Sequence, residues 1–160
     1  MVLDFLIFRR HSDDLEGLKK FSLFEDLSKR ELSIVARLLH TREYLAGEVI
    51  FDEGEVGQAI YLLLEGQVTI FRQGSLDDGH LAILGAGEFF GELGLLDDSV
   101  RTAQVRAASD CKMAVLFRED FHGLMESHLR IAHKIGRQLL RHLGERLREL
   151  RLTVGNHRHL

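Results

Sequence analysis

At 160 residues, 45% hydrophobic and 29% charged, the chain has the make-up of one ordinary globular domain with its own core, spanning residues 1–160. Its single cysteine, Cys111, excludes an intrachain disulfide and suits a reducing, cytoplasmic compartment, and the absence of proline marks no rigid linker. The net charge of −4 hides an asymmetry: residues 1–126 carry 13 Lys/Arg against 23 Asp/Glu, residues 127–160 carry 8 against 2. A basic tail on an acidic body points to a partner surface, within the molecule or outside it.

The opening V-L-D-F-L-I-F is apolar but short, holds Asp4, and has its arginines behind it. That fits neither a signal peptide nor a membrane span, and no membrane contact is expected. Asp13 or Asp14 caps a short predicted helix through Phe21. A second helix is better marked, because S28-K29-R30-E31 is a capping box and Leu32, Val35, Ala36 and Leu39 share one face. Residues 1–39 therefore read as an N-terminal helical segment.

From residue 40 the period changes. Tyr44–Leu45, Val49–Phe51, Ile60–Leu64, Val68–Arg72, His80–Leu84, Thr102–Ala107 and Cys111–Phe117 are short apolar runs punctuated by glycines. Leu64-Glu65-Gly66-Gln67 reads as a hairpin turn and Gln73–Gly79 as a polar hairpin tip. Six to eight such strands over residues 40–117 predict an antiparallel β-roll of jelly-roll type. Residues 118–155 return to helical period: a short helix over Glu119–Ser127, then a long one. Leu129, Ala132, Gly136, Leu139, Leu143, Leu147, Leu150 and Val154 form its apolar face. The later leucines have the spacing of a coiled-coil seam, which predicts a homodimer through this helix. The fold class is α+β, a β-roll flanked by N-terminal helices and a long C-terminal helix. Of nine histidines, His128, His133, His142, His157 and His159 lie in the tail without stacking on one helical face, so no metal site is expected.

The chemistry concentrates in residues 87–107. Gly87 and Gly91 bracket Phe89 and Phe90, Glu92 follows at once, Leu93–Leu96 is one or two helical turns, and Arg101 leads into a strand. Gly91 admits close approach of a ligand to backbone. The first turn after Glu92 offers unpaired N–H groups to an anion, and Arg101 offers a fork of donors to phosphate oxygens. Glu92 would repel a bare phosphate, but it suits a ligand that also presents hydroxyl donors. An anion beside hydroxyls means a nucleotide or a sugar phosphate. Two other readings compete. Leu81–Leu84 followed by G85-A86-G87 imitates a dinucleotide fingerprint with Asp110 as its acid, but the strands before Gly85 do not alternate with helices. More simply, Glu92 and Arg101 form a salt bridge within a β-roll turn.

The segment F90-G91-E92-L93-G94-L95-L96, four residues, then R101-T102-A103-Q104-V105, resembles the phosphate-binding cassette of the cyclic-nucleotide-binding domain family. L45-A46-G47-E48-V49-I50-F51, E53-G54-E55 and Y61-L62-L63-L64-E65-G66-Q67-V68 are similar to that family's early β-roll, so the resemblance covers roughly Phe24 to Leu150. The resemblance implies that Glu92 takes the ribose 2′-hydroxyl and Arg101 the cyclic phosphate. The backbone of Gly91, Leu93 and Ala103 would help, and Ile70, Leu81 and Leu84 would line the sugar and base pocket. Each of those three apolar residues is equally well a plain core residue. Thr102 permits cGMP without excluding cAMP. The last helix would cover the base, with Arg141, Arg146 or Arg148 stacking on the purine.

The function so implied is a cyclic-nucleotide (cAMP or cGMP) sensor, not an enzyme, needing no cofactor. Its signal would pass through the C-terminal helix, a dimer or a protein partner. DNA-reading members of the family continue into a helix-turn-helix, and no such sequence follows here, so direct DNA binding is not expected. The competing reading is a protein-interaction scaffold with an unused cassette, acting through the basic C-terminal helix.

Overall fold

The computed structural model describes residues 12–72 and 80–156. The expected hairpin tip Gln73–Gly79, the opening segment, and His157 and His159 lie outside the described residues, as do the side chains of Leu81 and Val154.

Helix α1 (Ser12–Lys19) leads through a 3-10 turn at Ser22–Phe24 into α2 (Lys29–Ala36). The capping box forms as its residue types require: the Ser28 hydroxyl accepts from the Glu31 N–H at 3.2 Å, and the Ser28 N–H donates to Glu31 Oε2 at 2.9 Å. Leu32, Val35, Ala36 and Leu39 are all buried.

Among the described residues, eight strands make two four-stranded antiparallel sheets. They are β1 (His40–Tyr44), β2 (Val49–Phe51), β3 (Ala59–Glu65), β4 (Gln67–Phe71), β5 (His80–Gly85), β6 (Phe89–Phe90), β7 (Gln104–Ala107) and β8 (Cys111–Phe117). One sheet runs β1-β8-β3-β6 and the other β2-β7-β4-β5. The long apolar runs of β3 and β8 have a physical cause, since both faces of their sheet are covered. Ile60, Leu62, Ala114 and Leu116 face the helices, packing with Phe24, Leu32, Val35, Leu124 and Ile135. Leu63 and Met113 face the other sheet, packing with Phe51, Val68, Phe90 and Val105. The outer sheet is covered on one face only, and β7 alternates buried and exposed accordingly.

Helix α3 (Leu93–Leu96) is a single turn inside the cassette. After β8 come α4 (Arg118–Ser127) and α5 (Leu129–Asn156), separated by His128 alone. At 28 residues α5 is about 42 Å long. Its apolar face does not act as one seam. Ile131, Ala132, Ile135 and Leu139 are buried against the rest of the chain, Leu143 is half-buried, and Leu140, Leu147 and Leu150 are exposed. Leu129, expected on the inner face, is 68% exposed; Ile131 and Ile135 take that role.

Much of the basic tail is matched within the molecule. Lys134 pairs with Glu31 at 2.7 Å, Arg137 with Asp26 at 2.9 Å and Arg141 with Glu25 at 3.3 Å. The buried Gln138 amide donates to Asp26 at 2.6 Å and Glu25 at 3.1 Å. Hydrogen bonds from Arg137 and then Gln138 hold the Asp26 carboxyl below its ordinary range, and Lys134 and then the Ser28 N–H do the same for Glu31.

Candidate ligand-binding site

The Phe89-Phe90 pair anchors the cassette. As strand β6 it pairs with Tyr61 and Leu62 of β3, and the two-residue period sends its rings to opposite faces. Phe90 enters the core between the sheets, stacked on Tyr61 with ring centroids 5.3 Å apart. Phe89 enters the core under the helices and meets the His142 ring of α5 at 4.5 Å. The loop that follows is thereby tied to both cores.

Arg101 is 8% exposed. Its guanidinium donates from Nη1 to the Gly91 carbonyl and from Nη2 to the Ala59 carbonyl, both at 2.9 Å. Its carbon lies 4.1 Å from the centre of the Phe51 ring, a cation–π contact. The glycines around it are required by space. A Cβ on Gly91 would stand 2.7 Å from Arg101 Nη1, and one on Gly94 would stand 2.9 Å from the same atom. Gly91 also has φ +78°, which an L side chain rarely adopts. Burial draws the guanidinium pKa below its ordinary value, opposed by Tyr61, Glu55 and Glu92. The group stays charged, since arginine does not deprotonate in proteins.

Glu92 is 4% exposed and does not pair with Arg101. Its Oε1 accepts from Arg146 Nη1 of α5 at 2.6 Å, and His142 Nε2 lies 3.8 Å from the same oxygen. The simple salt bridge within the turn is thus corrected: the carboxylate and the guanidinium have separate partners. A few residues on, Asp97 accepts from the Ser99 N–H at 2.9 Å and closes the Asp-Asp-Ser break, and Gln104 donates to Asp52 at the start of β7. The arrangement offers a buried cation and a buried carboxylate nine residues apart in one glycine-rich turn, suited to a ligand with both an anion and hydroxyl donors.

The remaining expected residues divide. Thr102 and Leu93 are exposed beside the turn and Ala103 is half-buried. Ile70 and Leu84 are half-buried and pack on the core between the sheets. Arg141 is engaged by Glu25, Arg146 by Glu92, and Arg148 lies along its own helix beside Gly144. Sequence reasoning missed Ala59, Phe51 and His142. The first acts through its backbone and the other two through positions far from the cassette in sequence. A separate cleft of about 480 Å³ carries Glu43, Glu48, Glu65 and Asp110 on its walls against Lys112 alone, a net negative charge unsuited to a phosphate.

Residues 41–128 match the family model "Cyclic nucleotide-binding domain". The chain belongs to the cyclic-nucleotide-binding domain family. It is 38% identical over 136 residues to the cyclic AMP receptor protein of Thermus thermophilus, covering 84% of this chain and 63% of that one. It is 35% identical over 128 residues to a cGMP-dependent protein kinase of Caenorhabditis briggsae, covering 78% of this chain and 17% of the kinase. The crystal structure of a cyclic nucleotide-binding domain from Methylobacillus flagellatus superposes with a TM-score of 0.74 at 28% identity, over 84% of this chain and 76% of that one. The chain therefore spans less than two thirds of the two relatives. Like the family's domain it is a two-sheet antiparallel β-roll with a long C-terminal helix. Among the described residues no helix is long and apolar enough to cross a membrane.

Proposed function

We propose that this chain binds cAMP or cGMP in the 87–107 turn without converting it, and reports occupancy through α5. The observation that supports the reading is that one turn holds both a buried, backbone-held Arg101 and a buried Glu92 whose own partner sits on α5. In this reading Arg101 takes the cyclic phosphate and Glu92 the ribose 2′-hydroxyl. The backbone of Gly91, Leu93 and Ala103 lines the turn, and Ile70 and Leu84 border the sugar and base. Cover of the purine falls to α5, with Arg148 the one of the three candidates Arg141, Arg146 and Arg148 that neither Glu25 nor Glu92 engages.

The output is a homodimer along the distal half of α5, in a cytoplasmic setting. Leu140, Leu147 and Leu150 are 71%, 64% and 63% exposed, and with Leu143 they follow the three-four spacing of a coiled-coil seam. The same stripe supports the scaffold reading, in which α5 binds a protein partner whether or not the cassette is filled. Calorimetry of the full chain with cAMP, cGMP and NAD separates these. Saturable binding of at least one cyclic nucleotide, with none of NAD, is the expected result. Failure of both cyclic nucleotides to bind, with self-association intact, overturns the sensor and leaves the scaffold.

A further inference from the structure

Helix α5 has two apolar faces. The inner one, built on Ile131, Ile135 and Leu139, is buried against the rest of the chain. The outer one begins at Leu129, the first residue of the helix, which is exposed. From Leu129 the steps to His133, Gly136 and Leu140 are four, three and four residues. The same alternation continues through Leu143, Leu147 and Leu150. His133 is exposed like the leucines on either side of it, and a Cβ on Gly136 would meet nothing within 4 Å.

A strict alternation of four and three is the heptad repeat of a coiled-coil seam, and it marks one when sustained over about three heptads or more. Residues 140–150 alone make 11 residues, which is too short. Residues 129–150 make 22, three heptads and one seam position more. The outer face therefore has the length to pair two copies only if all of it is used, and that places His133 inside the seam. In a parallel pair the ring meets its counterpart in the second copy, and in an antiparallel pair it meets an apolar residue. In both it leaves water.

The charge around His133 has one sign. On α5 its neighbours are Arg130, Lys134 and Arg137, and no carboxylate lies within four residues on either side. The acids packed against this stretch approach from the inner side and are engaged there: Glu31 by Lys134, Asp26 by Arg137, Glu25 by Arg141. On α4, Arg118 pairs with Asp98, Asp120 lies 3.7 Å from His40, and Glu119, His122 and Glu126 are exposed. Glu126, the nearest of these acids in sequence, stands seven residues back across the break at His128. A neutral imidazole fits an apolar seam at the modest cost of any polar seam residue. A protonated one, taken out of water beside Arg130 with no carboxylate to receive it, does not.

We infer that self-association through α5 is acid-sensitive, with His133 the seam residue that senses the proton. This inference rests on the homodimer reading and deepens it. The separate chain leaves His133 in water, whereas the pair buries it, so protons bind the separate chains in preference. Mass action then pulls the dimer apart as pH falls through the histidine range, and association is at full strength above that range. With one such ring on each copy, up to two protons are taken up per dimer, which makes the response steep.

The test is sedimentation of the full chain at pH about 8 and about 5.5, at constant ionic strength, with circular dichroism confirming the fold at each pH. The dimer dissociation constant of wild type should rise about ten- to hundredfold in acid. His133→Leu should associate as tightly in acid as at the higher pH. His133→Lys, charged at both, should associate weakly at both. His122→Gln, on α4 and off the seam, should keep the wild-type response. Leu129→Ser should weaken association about tenfold or more at the higher pH, because the seam needs its first position.

A wild-type dimer equally tight at both pH values overturns the inference and leaves the homodimer standing. So does an acid response that persists unchanged in His133→Leu. Association unaffected by Leu129→Ser confines the seam to the distal half of α5 and overturns the inference as well. A wild type that is monomeric at both pH values brings down the homodimer together with it.

Discussion

Arg101 and Glu92 lie in one turn yet are held by different parts of the molecule. Arg101 is fixed by the carbonyls of Gly91 and Ala59 and by the Phe51 ring, all within the β-roll. Glu92 is fixed by Arg146, 54 residues further along the chain and on α5. The cationic end is therefore built once the sheets are built, whereas the carboxylate end is built only when α5 is docked. A ligand spanning both ends would feel the position of α5 at one end alone. Whatever free energy links α5 to that ligand acts in both directions, so ligand would favour the docked helix as much as the docked helix favours ligand.

The comparison breaks most sharply at Arg101. Arg101→Ala removes the buried cation while leaving the Glu92–Arg146 contact in place. For a desolvated phosphate this loss costs roughly 2–5 kcal/mol, or about thirtyfold to several thousandfold in cyclic-nucleotide affinity. The β-roll should keep its far-ultraviolet circular dichroism. A dissociation constant within about threefold of wild type would show that the cationic end does not meet the phosphate.

The two halves of α5 give the next contrast. Leu139 is fully buried and Leu147 is 64% exposed. Leu139→Ala leaves a cavity under the proximal half and should cost about 2–5 kcal/mol of unfolding free energy in urea titrations. Leu147→Ala should change the stability of the isolated chain by no more than about 0.5 kcal/mol. It should instead weaken self-association in light scattering. Equal and small effects of both substitutions would mean that α5 is not docked as described, and that the Glu92 end is not built by it.

What could be read from the sequence follows the same division. The capping box, Val49–Phe51, Cys111–Phe117 and the glycine-bracketed cassette are local patterns, and each forms where its residues lie. The Phe89-Phe90 strand was not legible, because two residues carry no period; only their pairing with β3 makes them a strand. The inner face of α5 was misjudged for a related reason. Leu129 and Ile131 both fit an apolar stripe, and the choice between them is made by the turn at His128 and by the sheet beneath. The Arg146–Glu92 contact had no local signal at all. Arg146 is one of several arginines on a basic helix, and the acidic ledge of Glu25, Asp26 and Glu31 that seats the helix is assembled from another part of the chain.

That ledge makes the helix-docked end sensitive to acid. Asp26 and Glu31 both have folded pKa values depressed from their ordinary 3.8 and 4.5, chiefly by Arg137 and Lys134 respectively. For depressed carboxylates the contribution is complete above the unfolded values and is lost as pH falls through the folded ones. Melting temperature should therefore be level from neutrality to about pH 5 and fall below the ordinary carboxylate range. The double variant Asp26→Asn, Glu31→Gln should flatten that acid limb. An unchanged acid limb would place the sensitivity elsewhere. The effect is modest, because these pairs are partly exposed and screened by salt.

The smallest expected effect lies at the cationic end and tests its finer chemistry. Thr102 follows Arg101 directly and is exposed beside the turn, so its hydroxyl is free to face a ligand without disturbing the core. A hydroxyl there can meet either a phosphate oxygen or the exocyclic amine that guanine has at its 2-position and adenine lacks. If it meets the amine, Thr102→Ala should weaken cGMP by about one hydrogen bond, roughly 0.5–1.5 kcal/mol, and leave cAMP nearly unchanged. If it meets the phosphate, both ligands lose equally. The contrast is clean because Thr102 takes no part in holding Arg101, whose partners are the Gly91 and Ala59 carbonyls and the Phe51 ring. Paired titrations of wild type and Thr102→Ala with both nucleotides decide it. A loss confined to cGMP makes the residue after the arginine a base reader; an equal loss confines the whole cationic end to the phosphate and leaves base selection to the pocket wall and α5.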